Sequence, residues 1–118
     1  MFTEYLRKIV DNVEGGMGGL IMGLDGIAVE TYLRDGQRFD INTIGMEFSY
    51  ILTQVKKAGD SLQIGGITEF AIKAEQLLLV IRMLTDEYFL AVVLSADGNF
   101  GKARFMMRVT EPKLRAAL

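Results

Sequence analysis

The chain has no cysteine, no histidine and no tryptophan, and its one proline is Pro112. Without cysteine there is no disulfide and no thiolate nucleophile, and the common zinc ligands are missing as well. Imidazole acid–base chemistry goes with the histidines. A single proline and no long Ser or Gly tract leave no linker, so residues 1–118 read as one domain. Apolar runs such as Leu77–Ile81 are far shorter than the roughly 20 residues that cross a bilayer. The start, Met-Phe-Thr-Glu, has no charged stretch leading into an apolar one, as a secretory leader would. The expectation is a soluble, cytoplasmic protein with no membrane insertion.

Charge of one sign is not in large excess either. Thirteen Lys+Arg against fifteen Asp+Glu give a net charge of −2, so no overall field attracts nucleic acid. The distribution is uneven. From Gly98 onward, Lys102, Arg104, Arg108, Lys113 and Arg115 stand against Glu111 alone, a balance of +4 that leaves −6 for residues 1–97. That basic end reads first as a solvated helix face with cations near a helix C-terminus, and second as a surface for an acidic partner.

Half of the residues are hydrophobic, which is globular composition, and their spacing gives the elements. Phe2, Tyr5, Leu6, Ile9, Val10 and Val13 recur at helical spacing until Gly15-Gly16. Gly19–Leu24 and Ile27–Leu33 flank Asp25-Gly26, a strong hairpin signal because glycine supplies the positive φ of the turn. Arg34–Phe39 is a polar loop. Asp40 is a candidate cap for a second helix, from Ile41 to about Ala58, closed by Gly59, with a stripe of Ile41, Ile44, Phe48, Ile51, Leu52 and Val55. Three strands are expected at Ile67–Glu75, Gln76–Thr85 and Tyr88–Ala96. The first alternates, with Phe70, Ile72 and Ala74 on one side and Glu69, Lys73 and Glu75 on the other, as at a sheet edge. The other two are apolar on both faces and need helices above and below. Asn99–Val109 reads as a third helix, and Thr110-Glu-Pro112 as a fresh helix start. The fold class is therefore α/β (α+β), in the order α-β-β-α-β-β-β-α.

Candidate chemistry is thin. Gly15-Gly-Met-Gly-Gly19 lacks the Gly-Lys-Ser/Thr ending of a phosphate loop and leads into a strand, so it reads as a flexible connector. Asp35, Asp40, Asp86, Glu87 and Asp97 sit at turns and caps, and Ser49, Ser61 and Ser95 have no imidazole base. An enzyme is not expected, nor is a cofactor or a metal. Met22, Met83, Met106 and Met107 read as core filler. Met46 differs, because it shares an outer stripe with Tyr50, Thr53 and Lys57 on a helix that already has a core face. Such a patch is a binding-surface signal.

From end to end the chain resembles the Roadblock/dynein-light-chain family, and within it the bacterial MglB-like regulators of Ras-like GTPases. The residues that carry the likeness are Val13-Glu-Gly-Gly, Gly19-Leu-Ile-Met, Asp25-Gly-Ile-Ala-Val, Glu75-Gln-Leu-Leu-Leu and Asn99-Phe-Gly-Lys-Ala-Arg104. The resemblance implies a five-stranded antiparallel sheet with the second helix on one face and the first and third on the other. It implies a homodimer joined through the third strand and second helix, here Ile67, Glu69, Ala71, Lys73 and Phe48. It also implies a Ras-like GTPase as partner, and the outer stripe supplies the contact: Met46, Glu47, Tyr50, Thr53, Gln54 and Lys57. A light-chain-like scaffold is the alternative within the family. A PAS- or profilin-like small-molecule sensor is the alternative outside it, and it needs polar groups converging in the interior, where only Arg82 and Thr85 offer themselves.

Overall fold

The computed structural model describes residues 1–118 as α1 (Phe2–Asp11), β1 (Gly16–Gly23), β2 (Ala28–Leu33), α2 (Ile41–Leu62), β3 (Glu69–Lys73), β4 (Leu77–Met83), β5 (Tyr88–Ser95) and α3 (Phe100–Ala117). The five strands form one antiparallel sheet in the order β2-β1-β5-β4-β3, so β2 and β3 are its edges. The element order and the layering are those expected from the sequence. No helix is long and apolar enough to cross a membrane.

The double-sided apolar pattern of β4 and β5 divides the core in two. Leu78, Val80, Leu90, Val92 and Leu94 point to one side, where Leu6, Ile9, Val10 and Val13 of the α1 segment and Ala103, Met107 and Leu114 of α3 cover them. Leu79, Ile81, Phe89, Ala91 and Val93 point to the other, where Ile41 and Leu52 of α2 lie, with Phe48 packed alongside. Tyr32 ties β2 to α1 by donating its hydroxyl to the Asp11 carboxylate at 2.7 Å, and burial, then that carboxylate, push the phenol's pKa up.

Turn chemistry explains the hairpin between β1 and β2. Gly26 has φ +84°, the Asp25 carboxylate accepts the Ile27 N–H at 3.0 Å, and Gly23 and Ile27 close the turn through their backbones.

Several expected boundaries move. α2 does not stop at Gly59 but runs on to Leu62 and ends on Gln63, whose φ of 56° is the left-handed cap. Gly59 is an approach point, because a Cβ there would lie 3.1 Å from the Ile67 side chain. Nor is the Gly15–Gly19 run a flexible connector. β1 begins at Gly16, where a Cβ would sit 2.2 Å from the Val10 carbonyl oxygen, so the helix end presses on bare backbone. β3 covers only Glu69–Lys73 of the expected Ile67–Glu75. α3 is continuous through Pro112. Its turns beyond the proline are held by Leu114, fully buried, and by Arg115, whose Nε donates to the Leu84 carbonyl at 2.8 Å. Those contacts outweigh the rung that proline removes.

Candidate protein-interaction surface

Asp40 starts α2 by accepting from the Thr43 N–H and hydroxyl, which satisfies a free donor of the first turn. Its buried line is Ile41, Gly45, Ser49, Leu52 and Gly59, with small residues where sheet and helix approach closely. A Cβ on Gly45 would lie 2.7 Å from the tip of Met22. This line is rotated from the expected stripe, and the rotation leaves Ile51 exposed. At about 100° per residue, Met46, Tyr50, Gln54 and Lys57 face away from the sheet. Met46 is 57% exposed and Tyr50 68%. Glu47, Gln54 and Lys57 are exposed too. Thr53 is half-buried and gives its hydroxyl to the Ser49 carbonyl at 3.0 Å, so of the six expected contact residues it is the one turned inward.

A second apolar element is the flank of α2. Periodicity puts Ile51 and Leu62 in line with Ile44, Phe48 and Val55. Leu62 and Ile64 are both exposed and were missed in the sequence, because a helix closed at Gly59 leaves them in a loop. Phe48 is half-buried against the α2-side core together with Phe70 of β3.

β3 borders this flank as a free edge. The Thr68 carbonyl accepts from the Met83 N–H at 3.0 Å, and the Ala74 N–H donates to the Leu77 carbonyl at 2.9 Å. The alternation turns the backbone groups of Phe70 and Ile72 toward β4 and those of Glu69, Ala71 and Lys73 outward, unpaired. The side chains at these positions divide differently. Ala71 is exposed, whereas Ile67 lies against Gly59. Glu69 pairs with Arg104 at 2.7 Å and with Arg82 at 3.6 Å, and the Lys73 ammonium lies 4.6 Å from the centre of the Phe100 ring. The Glu69 and Lys73 side chains thus bind within their own chain, while their outward backbone groups stay unpaired.

Every buried side-chain nitrogen and oxygen has a hydrogen-bond partner. Ser49 is the one buried polar side chain, and it donates to Met46 of its own helix. Arg82 is tied to Glu111, and the Thr85 hydroxyl accepts from two N–H groups of the Asp86–Tyr88 turn. No three His, Cys, Asp or Glu side chains cluster as metal ligands would.

A helix-flanked antiparallel sheet with an open edge strand and a half-covered long helix defines a Roadblock-type domain. MglC from Myxococcus xanthus is 41% identical, with 99% of this chain and 98% of that one covered and a TM-score of 0.73. A Roadblock/LC7 domain from Streptomyces avermitilis has a TM-score of 0.86 at 14% identity, over 98% and 95% of the two chains. MglB in a tetrameric arrangement has a TM-score of 0.86 at 13% identity, over 96% of this chain and 84% of that one. No family model matches the sequence, and no curated protein does. The chain belongs to the Roadblock family, in its MglC-like branch.

Proposed function

We propose that this chain is a homodimeric interaction module that binds and regulates a Ras-like, MglA-type small GTPase without chemistry of its own. The observation that carries the proposal is the outer face of α2, where Met46 and Tyr50 stand exposed on a helix whose opposite side is already buried. Met and Tyr are good anchors, since both bury much area when a partner covers them. The free β3 edge and the exposed Ile51 and Leu62 beside it supply the homodimer contact. Assembly of an MglB into a tetrameric arrangement is in line with self-association of such domains.

Regulation would come from binding the GTPase's switch segments in one conformation, which requires only different affinities for its states. An arginine finger, worth roughly 10³–10⁵ in rate, has no good candidate here. The Arg34 guanidinium donates to the Val13 and Gly16 carbonyls of its own chain, and Arg104 is held by Glu69. Arg38 lies exposed in the Arg34–Phe39 loop with no side-chain partner.

Binding of the cognate GTPase, measured by titration, tests the surface. Tyr50→Ala should weaken it by about 1–3 kcal/mol with an unchanged melting temperature. Equal binding by the variant places the contact elsewhere. In single-turnover hydrolysis at saturation, Arg34→Ala, Arg38→Ala and Arg104→Ala should retain any stimulation. A loss of about a hundredfold in one of them, with binding intact, would reveal a finger and refute this mechanism.

A further inference from the structure

α3 buries Ala103, Met107 and Leu114, yet it carries a second apolar row on its other side. Phe105, Val109, Pro112 and Ala116 are all exposed, Phe105 and Val109 each to 54%. Their separations of four, three and four residues are those of a helix–helix seam. At about 1.5 Å per residue the row is about 16 Å long, or three turns. Helical periodicity borders it with cations on both sides: Arg104 and Arg108 along one, with Arg115 beyond them paired to Glu111, and Lys102 and Lys113 along the other.

Beside Phe105 opens a cleft of about 230 Å³ lined by Glu69, Arg82, Gly101, Arg104, Phe105 and Arg108. Three guanidiniums and the Glu69 carboxylate line it, and Glu111, outside the lining, holds Arg82 by a closer bond than Glu69 does. Glu69 fixes Arg82 and Arg104, while Arg108 lies 5.9 Å from the centre of the Phe105 ring and is in no ion pair. Gly101 lines the mouth in open space, where a Cβ would meet nothing nearer than Asn99 Oδ1 at 4.0 Å.

We propose that this face of α3 docks an acidic amphipathic helix of a partner protein. The apolar residues of that helix would lie along Phe105–Ala116, with acids against both cationic borders and one carboxylate in the cleft. Charge selects the occupant. A second copy of this chain would bring the same cations to a symmetric α3–α3 contact and be repelled. Extended nucleic acid would meet the −6 charge of residues 1–97. Guanidiniums fixed by Glu69 suit a carboxylate at one place better than mobile lipid headgroups. α3 lies across the sheet from α2, so the proposal does not depend on the GTPase reading.

The probe is a fluorescein-labelled synthetic peptide of about 18 residues with Leu at the seam positions and Glu at the flanking ones, titrated against the full chain by anisotropy. A scrambled peptide of the same composition, duplex DNA and vesicles containing roughly 30% phosphatidylserine run beside it. The seam peptide should bind and gain helicity, and the scrambled peptide should bind at least about tenfold more weakly. Phe105→Ala and Arg108→Glu should each weaken the seam peptide by about tenfold or more, and Lys113→Glu should weaken it also, while Tyr50→Ala leaves it unchanged. Thermal melts of each variant separate a lost contact from a lost fold, and Lys113, exposed and outside every ion pair, leaves the fold a neutral test. No binding, equal binding of the scrambled peptide, or indifference to all three α3 variants overturns the proposal. Vesicles or DNA binding more tightly than the peptide, with the same variant dependence, overturns it in favour of a lipid or nucleic-acid surface.

Discussion

Both carboxylate oxygens of Asp40 are engaged at the start of α2: Oδ1 accepts the Thr43 N–H at 3.1 Å and Oδ2 the Thr43 hydroxyl at 2.8 Å. The hydroxyl bond first, and the backbone bond after it, hold this carboxyl below the ordinary aspartate range. A depressed pKa in the folded chain means that the ionised cap stabilises it above the unfolded aspartate value. That contribution is lost as pH falls through the folded value. Asp40→Asn keeps an acceptor but has no charge to lose. The gap in melting temperature between wild type and Asp40→Asn should therefore change with pH only in the acid range, and Asp40→Ala should melt lower than both at neutral pH. A pH-independent gap would show that the charge of Asp40 plays no part. This residue was legible in the sequence because capping is local. Gly45 was not, since its role is set by Met22 and Leu20 on a strand about 25 residues earlier, a proximity that only the fold creates.

Among the elements, β3 carries the most specific consequence. The Ala71 N–H points away from β4, so Ala71→Pro spares the internal ladder and removes one outward donor. The variant should fold with near-native circular dichroism yet sediment as a monomer at micromolar concentration, where the wild type should sediment as a dimer. A wild-type monomer, or a dimeric Ala71→Pro, would remove β3 from the interface. The sequence disclosed α1, the hairpin turn and the double-sided strands to within about two residues, because each has a short-range signature in period or turn chemistry, whereas β1 starts at Gly16, three residues before the expected Gly19. It failed where long-range packing overrides local preference. Gly59 and Pro112 are ordinary stop signals, and both sit inside helices held from outside, by Ile67 in one case and by Leu84 with Leu114 in the other. The outer stripe of α2 was visible from the spacing of Met46 and Tyr50. The use of Glu69 by Arg104, 35 residues away, was not.

On the scale of the whole molecule, the sheet is a partition. α2 lies on one side, and α1 with α3 on the other. A two-fold dimer closed through β3 extends that partition without mixing its sides, so both copies of α2 share one surface and both copies of α3 the opposite one. Every dimer is then bivalent twice over, and a partner with two acidic helices would meet its second site at a high effective concentration once the first is filled. Two seam peptides joined by a flexible linker long enough to span both α3 rows should bind the wild-type chain on the order of a hundredfold more tightly than one peptide. Ala71→Pro should bind the single peptide normally and lose the advantage of the tandem. Avidity that survives in the monomer would mean that the pair of α3 helices is not what the tandem peptide reads. In such a dimer the pairing of an edge strand, more than either contact face alone, sets how long a partner stays.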